Sequence, residues 1–437
     1  MGVAVLHMQG DFLTCQPASG KEGILLWNGE IFNGDIEIPD GKSDTEVISQ
    51  FLDSLSDATD FLSELHEKLF CRIEGPYSFI YYKKSAHKLY YCKDIFGRRS
   101  LLRCNREDSI LLCSSIISDQ ISQPEEVDAN FIYEIDLNTR NVCQYHRSCP
   151  FPVSPSIQTF ALEYYDKKCL ELLENSIRSR VSNNRKGQGS TVAILFSGGL
   201  DSTLLARLSD KVLDPDVLIE LINVSFIPSN GNGLLSEKEI PDRISAIESF
   251  SELERLSCSR KWIFSPLNVT IEEYQKNRSR IRSLIAPANT AMDLSIAAPF
   301  WVASTWPSVG FHRVLLLSKF DRHGLEGLSS EISLDLNRMW HRNLGRDDRV
   351  LSDGGREARY PFLDEKLVHF VLGQCPISVR MDLSLPRGLG EKAMLRRIAK
   401  ALGLSHCVDL PKRAVQFGTR SSKMEGPAIK CGTDVIF

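Results

Sequence analysis

Six residues, Ser197-Gly198-Gly199-Leu200-Asp201-Ser202, constrain this 437-residue chain more than any other stretch. They follow an apolar run, Thr191–Phe196, that reads as a buried strand, and they precede a helical pattern over Thr203–Leu208. Strand, tight Gly-Gly turn and helix start, in that order, form a cradle for polyphosphate. The glycines let backbone N–H groups converge without Cβ obstruction, and the helix N-terminus adds positive potential. Ser197 and Ser202 offer hydroxyls to phosphate oxygens, and Asp201 offers a carboxylate to Mg²⁺ on the pyrophosphate. Together with Leu195, Gly198 and Gly199 they make up the predicted polyphosphate-binding set. The competing reading is a glycine-rich turn capped by Asp and Ser; the order of elements favours the cradle. The spacing is not G-x-x-x-x-G-K-[ST], which excludes a Walker loop.

Beyond the loop, strand and helix patterns alternate. Leu218–Phe226 reads as a strand, Pro241–Leu253 as a helix and Trp262–Phe264 as a strand, which predicts a parallel sheet with helical crossovers. Glu391–Leu402 is also predicted helical. Upstream, Leu162, Tyr165, Cys169, Leu173, Ile177 and Val181 recur at helical spacing. Before them the Pro- and Ser-containing stretch Cys149–Ile157 marks a boundary, giving predicted domains at 1–155 and 156–437.

The first domain reads differently. Gly23–Trp27 is a short strand that the Asn28-Gly29 dipeptide should stop in a turn. Ser43 or Asp44 caps a helix carrying Val47, Ile48, Phe51, Leu52 and Leu55. Tyr77–Tyr82 and Lys88–Cys92 are predicted strands, and Ser100–Leu102 begins another. Repeated β elements with few helices indicate an α+β layered domain.

Composition narrows the function classes. Lys and Arg total 52 against 56 Asp and Glu, a net charge of −4, so the chain lacks the basic excess of a nucleic-acid binder. Its apolar runs are too short to span a bilayer. The twelve cysteines include no C-x-x-C, and the nine histidines no H-E-x-x-H, which argues against a zinc site and for reduced, mostly buried thiols. The expectation is a cytoplasmic protein with small-molecule partners, no nucleic acid and no membrane.

The Ser197–Ser202 loop resembles that of the ATP pyrophosphatase (PP-loop) family, whose members cleave ATP between the α- and β-phosphates to adenylate a substrate. Upstream, Trp27-Asn28-Gly29-Glu30-Ile31-Phe32-Asn33 resembles the N-G-E-I-[FY]-N motif of class II glutamine amidotransferases. Ser43-Asp44-Thr45-Glu46, Gly75-Pro76-Tyr77-Ser78-Phe79 and Asp94-Ile95-Phe96-Gly97-Arg98-Arg99-Ser100-Leu101 follow at that family's order and spacing. Downstream, Arg346-Asp347-Asp348-Arg349 and Glu357-Ala358-Arg359-Tyr360-Pro361-Phe362-Leu363-Asp364 resemble the synthetase signature of asparagine synthetase. Without that resemblance, Asp44 would be a helix cap and Arg346–Arg349 a solvated charge run.

The resemblance implies a fold of two domains, α+β and α/β. A truncated N-terminal Ntn-type amidotransferase-like αββα sandwich precedes a PP-loop doubly wound parallel α/β domain. It implies a glutamine-hydrolysing asparagine synthetase that amidates aspartate through β-aspartyl-AMP, with ATP and Mg²⁺ as cofactors and Asp201 as the metal ligand. Asn28 and Gly29 match the oxyanion hole, and Glu30 and Asp44 the carboxylates that hold the glutamine amino end.

Two departures qualify this. The family nucleophile is an N-terminal cysteine, but position 2 is Gly2, and Cys15 has no free α-amine, so the glutaminase half is expected to be inactive. The family segment G-x-G-[AS]-D-E, which supplies a second metal-binding carboxylate, is replaced by Lys319-Phe320-Asp321-Arg322-His323-Gly324-Leu325. Asp321 is the stand-in nearest at hand, and Lys412 is the candidate phosphate-stabilising lysine. The alternative to an enzyme is a degenerate nucleotide-binding or regulatory paralogue.

Overall fold

The computed structural model describes residues 5–6, 8–55, 60–116, 123–147, 151, 161–181, 191–227, 229–230, 233–234, 239–306, 313–315, 325–382, 384–386, 388–411, 413–425 and 432–436. It divides into two compact units. One gathers described residues 5–147 and 333–348, the other the remainder.

In the first unit a six-stranded antiparallel sheet runs Ala18–Ser19, Gly23–Gly29, Tyr77–Lys83, Lys88–Lys93, Phe131–Asp136 and Val142–His146, in that spatial order. Alternating residues of the Gly23 strand, Leu25 and Trp27, are buried. They pack with Ile48 and Leu52 of the helix Asp44–Ser54 and with Phe79 and Tyr81. The helix starts where expected, with both halves of a capping box. Ser43 Oγ accepts from Glu46 N–H (3.3 Å), and Glu46 Oε2 accepts from Ser43 N–H (2.9 Å).

One expectation fails here. Asn28-Gly29 does not turn; both residues stay in the strand, opposite Ser78 and Tyr77. A turn dipeptide is a local preference, and the seven-residue ladder to the Tyr77 strand overrides it. Gly29 is required by the ladder rather than by a bend, because a Cβ there would lie 2.5 Å from the Pro76 carbonyl oxygen.

In the second unit a five-stranded parallel sheet has the order Trp262–Val269, Leu218–Phe226, Thr191–Leu195, Arg313–Leu315, Glu357–Arg359. The chain winds from Thr191 outward to Leu218 and Trp262, then returns to the other side of Thr191, so the order reverses there, as in a doubly wound sheet. Strand-buried Val192, Ile194, Ile219 and Leu221 pack with Leu173 and Ile177 of the helix Leu162–Val181, and with Leu204, Leu205 and Leu208 of the helix Leu200–Val212. The helix Leu162–Val181 buries Tyr165, Cys169, Leu173, Ile177 and Val181, the stripe read from spacing.

The Trp262 strand runs five residues beyond the expected Phe264, through Pro266 to Val269. Proline is tolerated because, among the described strands, this one lies at the sheet edge with no ladder on its outward side. Ten cysteines lie among the described residues and all are free. Cys92, Cys104, Cys169, Cys375 and Cys407 are buried, whereas Cys15, Cys71, Cys143 and Cys258 are exposed, so burial of the thiols is less general than expected. No helix among the described residues is long and apolar enough to cross a membrane.

Candidate functional site

In the second unit the loop after the Thr191 strand is held from behind. Phe196 N–H donates to the Ile222 carbonyl (2.8 Å), and Asn223 Nδ2 donates to the Phe196 carbonyl (2.8 Å). Gly198 adopts φ +73°, and a Cβ there would lie 2.2 Å from the Ser245 carbonyl carbon. Only glycine lets this backbone rest on the helix Pro241–Leu256, where Ser249 Oγ donates to the Gly198 carbonyl (2.8 Å). Leu195, the last strand residue, is half-buried.

The helix Leu200–Val212 begins at Gly199 with no side-chain cap. Its first N–H groups therefore have no intrahelical partner and face the loop, an arrangement suited to anionic oxygens. Ser197 Oγ accepts from Gly199 N–H (3.3 Å) and lies 3.3 Å from Ser202 Oγ, which donates to the Gly199 carbonyl (3.2 Å). Leu195, Ser197, Gly198, Gly199, Asp201 and Ser202 are thus drawn into one compact turn.

Asp201 pairs through Oδ2 with Lys392 Nζ, both side chains being about a quarter exposed or less (24 % and 21 %). Lys392 adopts φ +62° at the start of the helix Ala393–Ala401. Sequence reasoning passed over Lys392; its place at the entry to a predicted helix was the one available signal. Lys412 and Asp321 lie outside the described residues. Among the described residues no group of three His, Cys, Asp or Glu side chains could enclose a metal. A Mg²⁺ would fit here as a triphosphate-borne ion, with Asp201 as the protein carboxylate and water or phosphate oxygens completing the shell.

The synthetase-signature residues Arg359–Asp364 brace this unit. Asp364 caps the helix Glu365–Gly373, accepting from Lys366 and Leu367 N–H (3.1 and 3.3 Å), and its other oxygen takes Arg180 Nη1 at 2.9 Å. Ser176 Oγ donates to the Pro361 carbonyl (2.7 Å).

In the first unit the four amidotransferase-like motifs meet. Trp27 Nε1 donates to Asp44 Oδ2 (3.0 Å), while Thr45 N–H donates to Asp44 Oδ1 (2.7 Å), tying the helix start to the strand end at Asn28. Glu30 N–H donates to the Pro76 carbonyl (2.9 Å). Gly75 at φ +149° passes so close that a Cβ would meet the Glu30 carbonyl oxygen at 2.1 Å. Arg98 holds that passage, donating through Nη2 to the Gly75 carbonyl (2.6 Å) and through Nε to Asp94 Oδ1 (2.9 Å). Asp94 in turn accepts from Tyr77, Phe96 and Arg98 N–H.

Asn28 is exposed, Gly29 is half-buried, and the carboxylates of Glu30 and Asp44 are buried at 1 % and 5 % exposure. Nor is Arg346–Arg349 a solvated charge run: all four residues are buried. Arg99 Nη1 meets Asp348 Oδ1 at 3.0 Å, and Ser100 N–H donates to Asp348 Oδ2 (2.9 Å). Two motifs some 250 positions apart in sequence are thereby locked together.

An Asn-Gly-Glu strand end beside a capped acid in one unit, and a strand–SGGLDS–helix cradle in the other, define the class: an amidotransferase-like domain followed by a PP-loop synthetase-type domain. The Glutamine amidotransferase domain family matches residues 13–118 and the Asparagine synthase family residues 258–436. Asparagine synthetase domain-containing protein 1 of Mus musculus is 32% identical over 566 positions, covering 96% of this chain and 89% of its own length. A protein of the same description from Saccharomyces cerevisiae is 30% identical, covering 94% of this chain and 82% of its own. The glutamine-hydrolysing asparagine synthetase of Mus musculus is more distant, at 23% identity, with 93% and 75% covered. The chain belongs to the asparagine synthetase domain-containing protein family. The 566-position alignment is longer than the 437 residues here, so the mouse relative carries internal segments without counterpart in this chain.

Proposed function

We propose that this chain binds MgATP at the Ser197–Ser202 loop and amidates an aspartate-class carboxylate through an acyl-adenylate, β-aspartyl-AMP. The observation that carries this is the uncapped helix N-terminus behind Gly198-Gly199, with the Asp201–Lys392 pair on its first turn. The loop amides and the hydroxyls of Ser197 and Ser202 hold the β- and γ-phosphates, so the α-phosphorus is presented to the incoming carboxylate. Asp201 would hold a Mg²⁺ carried in on the triphosphate, and that ion would supply charge neutralisation on the leaving pyrophosphate. With Asp201 so engaged, Lys392 turns its ammonium to the phosphate oxygens. Ammonia then forms the C–N bond as the C–O bond to AMP breaks.

Family membership supports this reading: the relatives include a protein described as glutamine-hydrolysing asparagine synthetase. The test is ATP–pyrophosphate exchange by the full chain in the presence of aspartate. Aspartate-dependent exchange is expected; its absence, with ATP binding intact, sinks the adenylation step. A second reading, nucleotide binding without turnover, is favoured by the internal segments that the mouse relative has and this chain lacks. It predicts ATP uptake without exchange.

A further inference from the structure

Asp242 lies in the first turn of the helix Pro241–Leu256 with only 6 % of its surface exposed. Among the described residues nothing donates a hydrogen bond to its carboxylate. The carboxylate lies against the bare Cα of Gly418, where an added Cβ would meet Cγ and both oxygens at 2.1–2.2 Å. Burial pushes the Asp242 carboxyl up to about 7, against the field of the nearby Arg413 guanidinium. A carboxylate removed from water without donors is costly, so this one has an unmet demand for hydrogen-bond donors.

Its place in the fold says which donors. Asn223 Nδ2 donates both to the Phe196 carbonyl (2.8 Å), at the root of the phosphate loop, and to the Asp242 carbonyl (3.3 Å). The loop and Asp242 are therefore neighbours across a single amide. Asp242 is also on the side of the Leu218 strand, beyond its C-terminal end, where Phe226 N–H donates to the Thr419 carbonyl (2.9 Å). Gly418, next to Thr419, closes over it. In doubly wound sheets the phosphates sit at the turn after the first strand, and in their dinucleotide-binding form an acid near the end of the second strand receives the ribose hydroxyls. Thr191–Leu195 is the first strand here and Leu218–Phe226 the second, and Asp242, in the first turn of the helix that follows the second strand, lies beyond that strand's C-terminal end, farther along the chain than the acid of a dinucleotide fold.

We propose that the Asp242 carboxylate is the ribose-recognition group of this nucleotide site, accepting hydrogen bonds from the 2′- and 3′-hydroxyls. The inference rests on the reading of Ser197–Ser202 as the phosphate loop. A vicinal diol supplies two O–H donors to a group that has none among the described residues, and the site selects ribonucleotides over their deoxy counterparts.

The experiment is calorimetric titration of the full chain with ATP, 2′-deoxy-ATP and 2′,3′-dideoxy-ATP in saturating magnesium. Wild type should bind 2′-deoxy-ATP about tenfold and 2′,3′-dideoxy-ATP about a hundredfold more weakly than ATP, as expected for hydroxyls donating to a charged acceptor. In Asp242→Ala the three affinities should converge on that of the dideoxy nucleotide. Asp242→Asn keeps the side-chain volume and safeguards against misfolding; it should lose most of the preference while still binding 2′,3′-dideoxy-ATP as wild type does. Equal affinities in wild type, or a uniform weakening of all three nucleotides in both variants, would overturn the proposal while leaving the phosphate loop standing. If wild type binds none of the three, the loop reading itself falls and this inference with it.

Discussion

Three motif acids of the first unit and the two acids at the candidate nucleotide site of the second are held differently. In the amidotransferase-like unit three buried acids are engaged by their own chain: Asp44 by the Trp27 indole and the Thr45 amide, Asp94 by three backbone amides and Arg98, Asp348 by Arg99 and Ser100. At the candidate nucleotide site of the synthetase-type unit Asp201 is met by Lys392, and among the described residues nothing donates to the buried Asp242 carboxylate. The difference separates two uses of one chemistry. Acids already satisfied by their own chain hold shape, and removing a partner should be felt as lost stability. If Asp201 and Asp242 serve the proposed nucleotide site, altering them should be felt in binding and turnover.

The sharpest way to break this contrast lies in the first unit. Arg99→Ala removes the guanidinium paired with the buried Asp348 carboxylate, and should cost about 3–5 kcal/mol of unfolding free energy, read by urea denaturation. A loss below about 1 kcal/mol would show that Asp348 is not holding shape. Next is a pH experiment on Asp242. Its carboxyl is raised in the folded state, so between about pH 4 and 7 the folded protein binds more protons than the unfolded chain. Without ligand, stability should therefore fall as pH rises through that window, relative to Asp242→Asn, by on the order of 4 kcal/mol once above pH 7. Parallel stability curves for the two proteins would show that Asp242 does not titrate differently on folding.

Activity sharpens the contrast from the other side. Asp201→Ala should lower aspartate-dependent ATP–pyrophosphate exchange by about a hundredfold, with little change in melting temperature. A matching drop in stability would move Asp201 into the shape-holding class. Smaller effects belong to the first unit again. Trp27→Phe removes the indole donor from Asp44 and should destabilise by about 1–3 kcal/mol. Ser43→Ala, which breaks the capping box, should cost about 1 kcal/mol. Both are measurable as shifts in denaturation midpoint at unchanged slope.

What was legible in the sequence followed from short-range rules. The stripe from Tyr165 to Val181, the Ser43–Glu46 cap and the SGGLDS cradle each depend on residues within a few turns of one another, and they fold as their spacing says. What was not legible depends on distant partners. Asn28-Gly29 reads as a turn until the Tyr77 strand is laid beside it. Arg346–Arg349 reads as surface until Arg99, nearly 250 positions earlier, reaches Asp348. Lys392 is one lysine among many until the helix it opens brings it to Asp201, 191 positions away in sequence. Asp242 has no motif around it that marks burial; only packing against Gly418 and the helix start withdraws it from water.

Pro266 has a consequence for the molecule among its neighbours. It sits in the outermost strand of the parallel sheet, with its ring exposed, and contributes no amide hydrogen to that rim. An extended segment from another chain that tried to zip along Trp262–Val269 would meet a gap in the row of donors midway. The sheet is thereby guarded against growing by strand addition on that flank.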